Sequence, residues 1–398
     1  MKKLIALLLV LAMALSLVAC GGSEAGEAGT GEYRIAMVTD YGDITDQSFN
    51  QTTWEACLAF GEESGLDVKY YKPGTNDTAG RVASVELAIA EGYNVIVMPG
   101  YAFGMTIAEV SGNYPDVKFI GLDVSKGDLL EGGVALKGES YDYNPDNWNL
   151  TDYVHMDNVY CAIYQEELSG YMAGYAAVKL GYTKLGFLGG MAVPAVIRFG
   201  YGFVQGADAA AAELGINIDM KYAYGNQFYG DADITAVMDT WYAAGTEVVF
   251  ACGGGIFTSA VEAALKVEGA KVIGVDVDQA GVIAGYAQQD NTALTITSAM
   301  KGLYPTTVDT LKDVIINGNW AKYAGKVETL GLVSGTDPEA NYVQIPMEST
   351  HWCDAFTQAN YKDMVKAMFD GTLVVSDDVS AMPATTNSIV ADLGQIVG

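Results

Sequence analysis

Apolar and polar positions along this chain follow two alternating periods. Short runs such as IAMV, VIVM, FIGL and VIGV are apolar throughout. Such runs need cover on both faces, as the strands of a parallel sheet have. Between them lie longer stretches whose apolar residues recur every three or four positions, the period of a helix. The order reads strand 33–40, helix 51–65, strand 66–73, helix 81–92, strand 93–100, short helix 105–115 and strand 117–123. After the turn-rich GVALKGES at 133–140 and a DNVY stretch, the pattern restarts. It gives helix 166–181, strand 184–190, helix 196–215, strand 218–225, helix 231–245, strand 246–254, helix 258–269 and strand 270–276. A further helix is expected over about 356–369, and the tail is expected to add a strand and a helix to the second unit. The length, 398 residues, exceeds one comfortable core. Two βαβ series in one chain predict an α/β protein of two lobes with a cleft between them.

The N-terminus breaks this pattern. Behind Lys2 and Lys3, residues 4–19 are apolar except for Ser16. That is a secretory signal rather than a membrane span. Leu17-Val18-Ala19-Cys20 resembles the lipobox of bacterial lipoproteins, so residues 1–19 are expected to be removed and Cys20 lipidated. Residues 20–32 carry no apolar run and read as a flexible tether. The expected place is the extracytoplasmic face of a bacterial cell membrane, reached through lipid on Cys20. Net charge is −28, and loss of Lys2 and Lys3 takes it to −30. Nucleic acid is a poor partner for such a chain. The acid is spread along the sequence and reads as a solubilising surface. Cys57, Cys161, Cys252 and Cys353 lie roughly one hundred residues apart with no CxxC pair, so neither a disulfide framework nor a metal site is expected. With His155 and His351 the only histidines, a zinc site or a histidine triad has little to build on.

Ligands of parallel sheets bind outside the C-terminal ends of the strands. Here those ends carry Asp40, Gly100, Asp123 and Asp276, while Gly253, Gly254 and Gly255 follow VVFAC. An aspartate after a strand also serves as a helix cap. The stretch DYGDITDQSFNQTTWE at 40–55 divides its labour. Asp40, Asp43 and Asp46 can accept hydrogen bonds, Asn50 can both donate and accept, and Phe49 can cover a planar ring. In the alternative structural reading, Asp46 or Ser48 caps the helix and Trp54 enters the core. CGGG followed by GIFTSA lacks the lysine and serine of a phosphate loop, and no GxGxxG follows the first strand. Gly254 and its neighbours instead permit close approach to a ligand. No GxSxG or HExxH occurs. Paired aspartates such as Asp276 and Asp278 could serve a hydrolase. His351, Trp352 and Cys353 are expected to be structural.

The chain resembles the basic membrane protein family, the purine-nucleoside receptors of ABC transporters. The resemblance rests on VTDYGDITDQSFNQTTWEA, GYNVIVMPGYAF, VKFIGLD, EELSGYMAG, GFLGGMAVPAV, GYGFVQGA, VVFACGGG and VIGVDVDQ, and it runs from about Tyr33 to Met300. It implies a type I periplasmic-binding-protein fold, two Rossmann-like lobes joined by three crossovers. These fall near His155 to Asn158, Thr295 to Ser298 and Gly325. Lobe one is then 33–156 with 297–324, and lobe two is 157–296 with 325–398. The resemblance implies that Phe49 and Asn50 contact a base, that Asp123 also reaches it, and that Asp276, helped by Lys301, binds ribose hydroxyls. A second aromatic stacks from the other lobe, with Phe250 the expected match and Phe257 its rival. The family carries AxGGxG where this chain has CGGGIF. No cofactor or metal is implied, and the chain is expected to be a monomer and not an enzyme. Its partners are a small ligand, an ABC permease and separate ATPase subunits. A receptor of the same fold for a sugar or an autoinducer-like molecule, and an extracellular nucleoside hydrolase, remain as alternatives.

Overall fold

The computed structural model describes residues 33–40, 42–289 and 292–396. The expected signal peptide, the tether and Cys20 lie outside them. Thirteen strands among the described residues form two sheets. The first holds β1 (Ile35–Val38), β2 (Val68–Tyr71), β3 (Val95–Pro99), β4 (Lys118–Leu122), β5 (Val159–Tyr164) and β11 (Lys326–Leu330). Their spatial order is β11-β5-β4-β3-β1-β2, and every pairing is parallel. The second sheet holds β6 (Lys184–Gly189), β7 (Ile218–Tyr224), β8 (Val248–Cys252), β9 (Lys271–Asp276), β10 (Thr295–Lys301), β12 (Val343–Gln344) and β13 (Ser388–Gln395). Its order is β12-β10-β9-β8-β6-β7-β13, parallel except where β12 joins β10.

The apolar runs are explained by cover on both faces. In β1, Ile35 and Met37 pack with Phe60 on one side, while Ala36 and Val38 pack with Val85 and Ile107 on the other. The same split divides β8. Val248, Phe250 and Cys252 face one core, and Val249 and Ala251 face the other. A strand buried on both sides has no polar face, so its sequence does not say which residue points where.

Helices Glu166–Lys179 and Pro194–Leu214 run against each other in the second lobe. Their backbones come so close that a Cβ on Gly170 would stand 2.2 Å from the carbonyl oxygen of Phe199, and one on Gly206 would stand 2.0 Å from that of Tyr171. This approach brings the start of the second helix over Glu166.

Sheet membership shifts the expected lobe boundaries. β5 and β11 both pair in the first sheet, and β10 pairs in the second. The chain therefore crosses after Tyr164, returns after Lys301 and crosses again after Leu330, rather than near 155–158, 295–298 and 325. Each expected boundary was drawn at the start of a strand. Hydrogen bonding keeps that strand with the lobe it leaves, so the crossing comes at its C-terminal end. In the tail, helix Gln358–Phe369 and strand β13 form as expected, and β13 lies on the edge of the second sheet beside β7. The remaining tail is irregular, with no further helix among the described residues. No helix among the described residues is long and apolar enough to cross a membrane.

Candidate functional site

The C-terminal ends of both sheets open onto one cleft of about 350 Å³. Asp40, Gly100, Asp123, Gly253 to Gly255 and Asp276 all line it, as do Phe49, Asn50 and Lys301. The strand ends singled out in the sequence thus meet in space.

The loop after β1 is held by its own carboxylates. Asp46 accepts backbone N–H groups from Ser48 at 3.0 Å, Asn50 at 2.9 Å and Gln51 at 3.0 Å, so it caps helix Phe49–Ser64. Loss of hydration around its carboxyl pushes Asp46 up to about 6, against these donors, which favour the charged form. Ser48, free of capping, donates across the cleft to Asp276 Oδ2 at 2.5 Å. Asp40 Oδ1 accepts the N–H of Gly42 at 2.7 Å and lies 3.4 Å from Asn50 Nδ2. Gly42 is required here, since a Cβ would stand 2.3 Å from Asn50 Nδ2. Asn50 Oδ1 is buried with no hydrogen-bond partner among the described residues. Asp43 is exposed and pairs with Lys72 at 2.8 Å.

Asp123 and Asp276 share an unusual backbone. Their φ angles are +57° and +66°, in the left-handed region that side-chain-bearing residues seldom adopt. This local strain turns each carboxylate out of its strand and towards the cleft. Between them stands Lys301, the last residue of β10. Its ammonium bonds Asp123 and lies 3.4 Å from Asp276 Oδ1 and 3.7 Å from Glu166 Oε1. It also stands 4.7 Å above the centre of the Phe49 ring. Burial disfavours the charge on Lys301, but Asp123, Asp276 and Glu166 outweigh it and hold its pKa above the ordinary lysine value. Asp123 Oδ1 has no partner among the described residues.

Glu166 opens helix Glu166–Lys179 and is fully buried. Arg198 Nε donates to its Oε2 at 2.7 Å. Burial raises the Glu166 pKa, while Arg198 opposes the rise. Neither residue was expected from the sequence, because a charge inside a helical pattern reads as a solvated face. On the first-lobe side, Asp128 is pushed up to about 6 by its surroundings and shares a capping box with Ser125.

The second aromatic requires a correction. Phe250 is fully buried and lies outside the cleft lining. Its ring packs on Phe187 at 5.5 Å, Phe203 at 5.3 Å and Phe199 at 6.1 Å. It shares a face of β8 with Cys252 but lies two residues deeper in the strand, so its ring stays in the core while Cys252, at the strand end, reaches the cleft. Phe257 is likewise buried, in the core on the opposite face of the sheet. The second lobe instead brings Phe199 and Phe228 to the cleft wall. Phe228 lies against bare backbone, since a Cβ on Gly190 or Gly253 would stand 2.3 or 2.8 Å from its Cδ1. The glycines of CGGG therefore make room for a ring of the same chain. A lone phenylalanine in the polar loop YGNQFYGDAD was the sequence signal for it.

Asp278 is exposed and accepts the N–H of Ala280 at 3.1 Å, and no second carboxylate among the described residues is hydrogen-bonded to it. The four cysteines in the described residues are unpaired, and no group there has metal-ligand geometry.

The family model for "ABC transporter substrate-binding protein PnrA-like" matches residues 34–336. Among curated relatives, the ABC transporter nucleoside-binding protein BmpA of Lactococcus lactis subsp. cremoris is 28% identical over 70% of this chain and 75% of its own length. Basic membrane protein B of Borreliella afzelii is 26% identical over 80% and 84%. The solute-binding protein of an Aeropyrum pernix ABC transporter system has a TM-score of 0.62 at 20% identity, covering 87% of this chain and 88% of its own. That from Conexibacter woesei has a TM-score of 0.61 at 19% identity, covering 87% and 99%. The two solved structures share the two-lobe α/β fold of this chain. The strand-end carboxylates and interlobe cleft described above are thus those of a chain that belongs to the basic membrane protein family of ABC transporter substrate-binding proteins.

Proposed function

We propose that this protein captures a nucleoside, a purine nucleoside first of all, between its lobes and delivers it to an ABC permease powered by separate ATPase subunits. The observation that carries this reading is the uneven lining of the cleft. Rings from both lobes, Phe49 and Phe228, stand beside buried acceptors, Asn50 Oδ1 and Asp123 Oδ1, that lack protein donors among the described residues. A flat ring with N–H groups on its edge satisfies both features. Asp276 and Lys301 then take the hydroxyl-rich end, and Asp40 and Gly254 complete the walls. Uncompensated buried carboxylates are costly, so the donors of such a ligand favour the closed cleft. The relative from Lactococcus lactis, named as nucleoside-binding, supports the same choice.

The test is recovery of the bound compound from purified protein, followed by calorimetric titration with nucleosides. A compound with nucleobase absorbance and a saturable titration are expected. A recovered sugar, or turnover of nucleoside to base and ribose, would overturn the reading. Delivery to a membrane permease also requires an anchor, for which Cys20 is the candidate. Cys20→Ser should release the protein from the membrane fraction. A wild-type N-terminus other than a lipidated Cys20 in mass spectra would remove that part of the proposal.

A further inference from the structure

Arg198 lines the cleft and its side chain is 13% exposed. Its Nε is spent on Glu166, and no protein acceptor among the described residues takes its two terminal nitrogens. Glu166 also lies against Lys301, which in turn bonds Asp123. Arg198 and Asp123 therefore belong to one charge cluster that joins the two walls of the cleft, and Asp123 contributes to the electrostatic environment of Arg198. One offers only donors, arranged as a rigid fork, and the other, at Oδ1, only an acceptor.

We infer that Arg198 and Asp123 together select purine nucleosides that carry a 6-oxo group over those that carry a 6-amino group. This rests on the nucleoside reading above. Along its edge from N1 to N7, a 6-oxo purine presents a donor, an acceptor and a second acceptor. A carboxylate oxygen from one wall and a two-pronged guanidinium from the other, held in one cluster, complement all three. Arginine takes the O6 and N7 pair of guanine in the same way when it reads DNA. A 6-amino purine presents an acceptor, a donor and an acceptor. It can satisfy at most two of the three groups, whichever way the ring is turned. The difference is one charge-assisted hydrogen bond.

Inosine and adenosine make the matched probes, because they differ only at this edge. Wild-type protein should bind inosine more tightly than adenosine by about tenfold or more, the worth of one hydrogen bond to a charged group. Arg198→Met should bring the two affinities to within about twofold. Because that variant leaves Glu166 buried without its partner, Glu166→Gln/Arg198→Met is measured beside it. The double variant removes both charges, and its melting temperature reports whether folding is intact. A folded double variant that has lost the inosine preference supports the assignment, since a merely structural arginine would leave the ratio unmoved. A wild-type inosine preference retained in the folded double variant overturns the inference and leaves the nucleoside reading standing. A wild type that binds both equally, or adenosine more tightly, does the same. Failure of the wild type to bind either nucleoside overturns the nucleoside reading and the inference with it.

Discussion

The two walls of the cleft are built by different means. On the first lobe the polar groups are set by local backbone. Asp46 caps its own helix, Asp40 closes a tight turn at Gly42, and Asp123 is aimed by a left-handed residue at a strand end. On the second lobe the groups, Asp276 apart, are set by packing between distant segments. Phe228 fits over Gly190 and Gly253, Arg198 is brought to Glu166 by two helices in close contact, and Lys301 is fixed by carboxylates from three parts of the chain. Lesions in the first wall should therefore be felt mainly in affinity, and many of those in the second also in stability.

The largest effect is expected at Lys301. Lys301→Met leaves Asp123, Glu166 and Asp276 without their shared cation. Stability should fall by about 3–5 kcal/mol, the cost of breaking a buried ion pair from one side. Urea unfolding measures it, and a loss below about 1 kcal/mol would show that the network is solvated. Phe250→Ala should also lose about 3–5 kcal/mol of stability, yet bind ligand normally per folded molecule. A selective loss of affinity there would return Phe250 to the cleft.

Asp276→Asn should weaken nucleoside binding by about 2–5 kcal/mol. A 2′,3′-dideoxy nucleoside should lose much less. Equal losses would mean that Asp276 does not read the hydroxyls. Phe49→Ala and Phe228→Ala should each lose about 1–3 kcal/mol of affinity, one ring from each wall. If only Phe49 matters, the second face is supplied by Phe199.

The last effect concerns pH. Asp46 and Asp128, both on the first wall, are pushed up to about 6, against about 3.9 in an unfolded chain. Between those values the folded protein holds protons that the unfolded chain has released. Their contribution to stability is full below about pH 4 and is lost as pH rises through about 6. Asp46→Asn/Asp128→Asn should flatten this part of the stability curve. A wild-type minus variant difference that is constant over this range would show that the two carboxyls titrate normally.

What was legible in the sequence follows the same division. Asp40, Asp123 and Asp276 end apolar strands, and Phe49 and Asn50 share one polar loop with Asp40, so one stretch and three strand ends sufficed. The sheets were legible because strands covered on both faces are apolar throughout. The same property hid the orientation of Phe250, since nothing in VVFAC marks a core face or a cleft face. Arg198 and Glu166 lie within helical patterns, and only tertiary contact gives them partners. β5 was missed because short 3-10 turns and loops precede it, and β11 because only the one-turn helix Trp320–Tyr323 does; the lobe boundaries moved with them.

The position of Lys301 has a mechanical consequence. Lys301, Asp276, Glu166 and Arg198 travel with the second lobe, whereas Asp123 travels with the first. Parting the lobes leaves the first four together and must break the bond from Lys301 to Asp123, with the bonds from Ser48 to Asp276 and from Gln279 to the carbonyl of Gln47. Such contacts weaken steeply with distance and angle. They resist the first fraction of the movement and exert little force afterwards. The closed cleft is held by a catch rather than a spring.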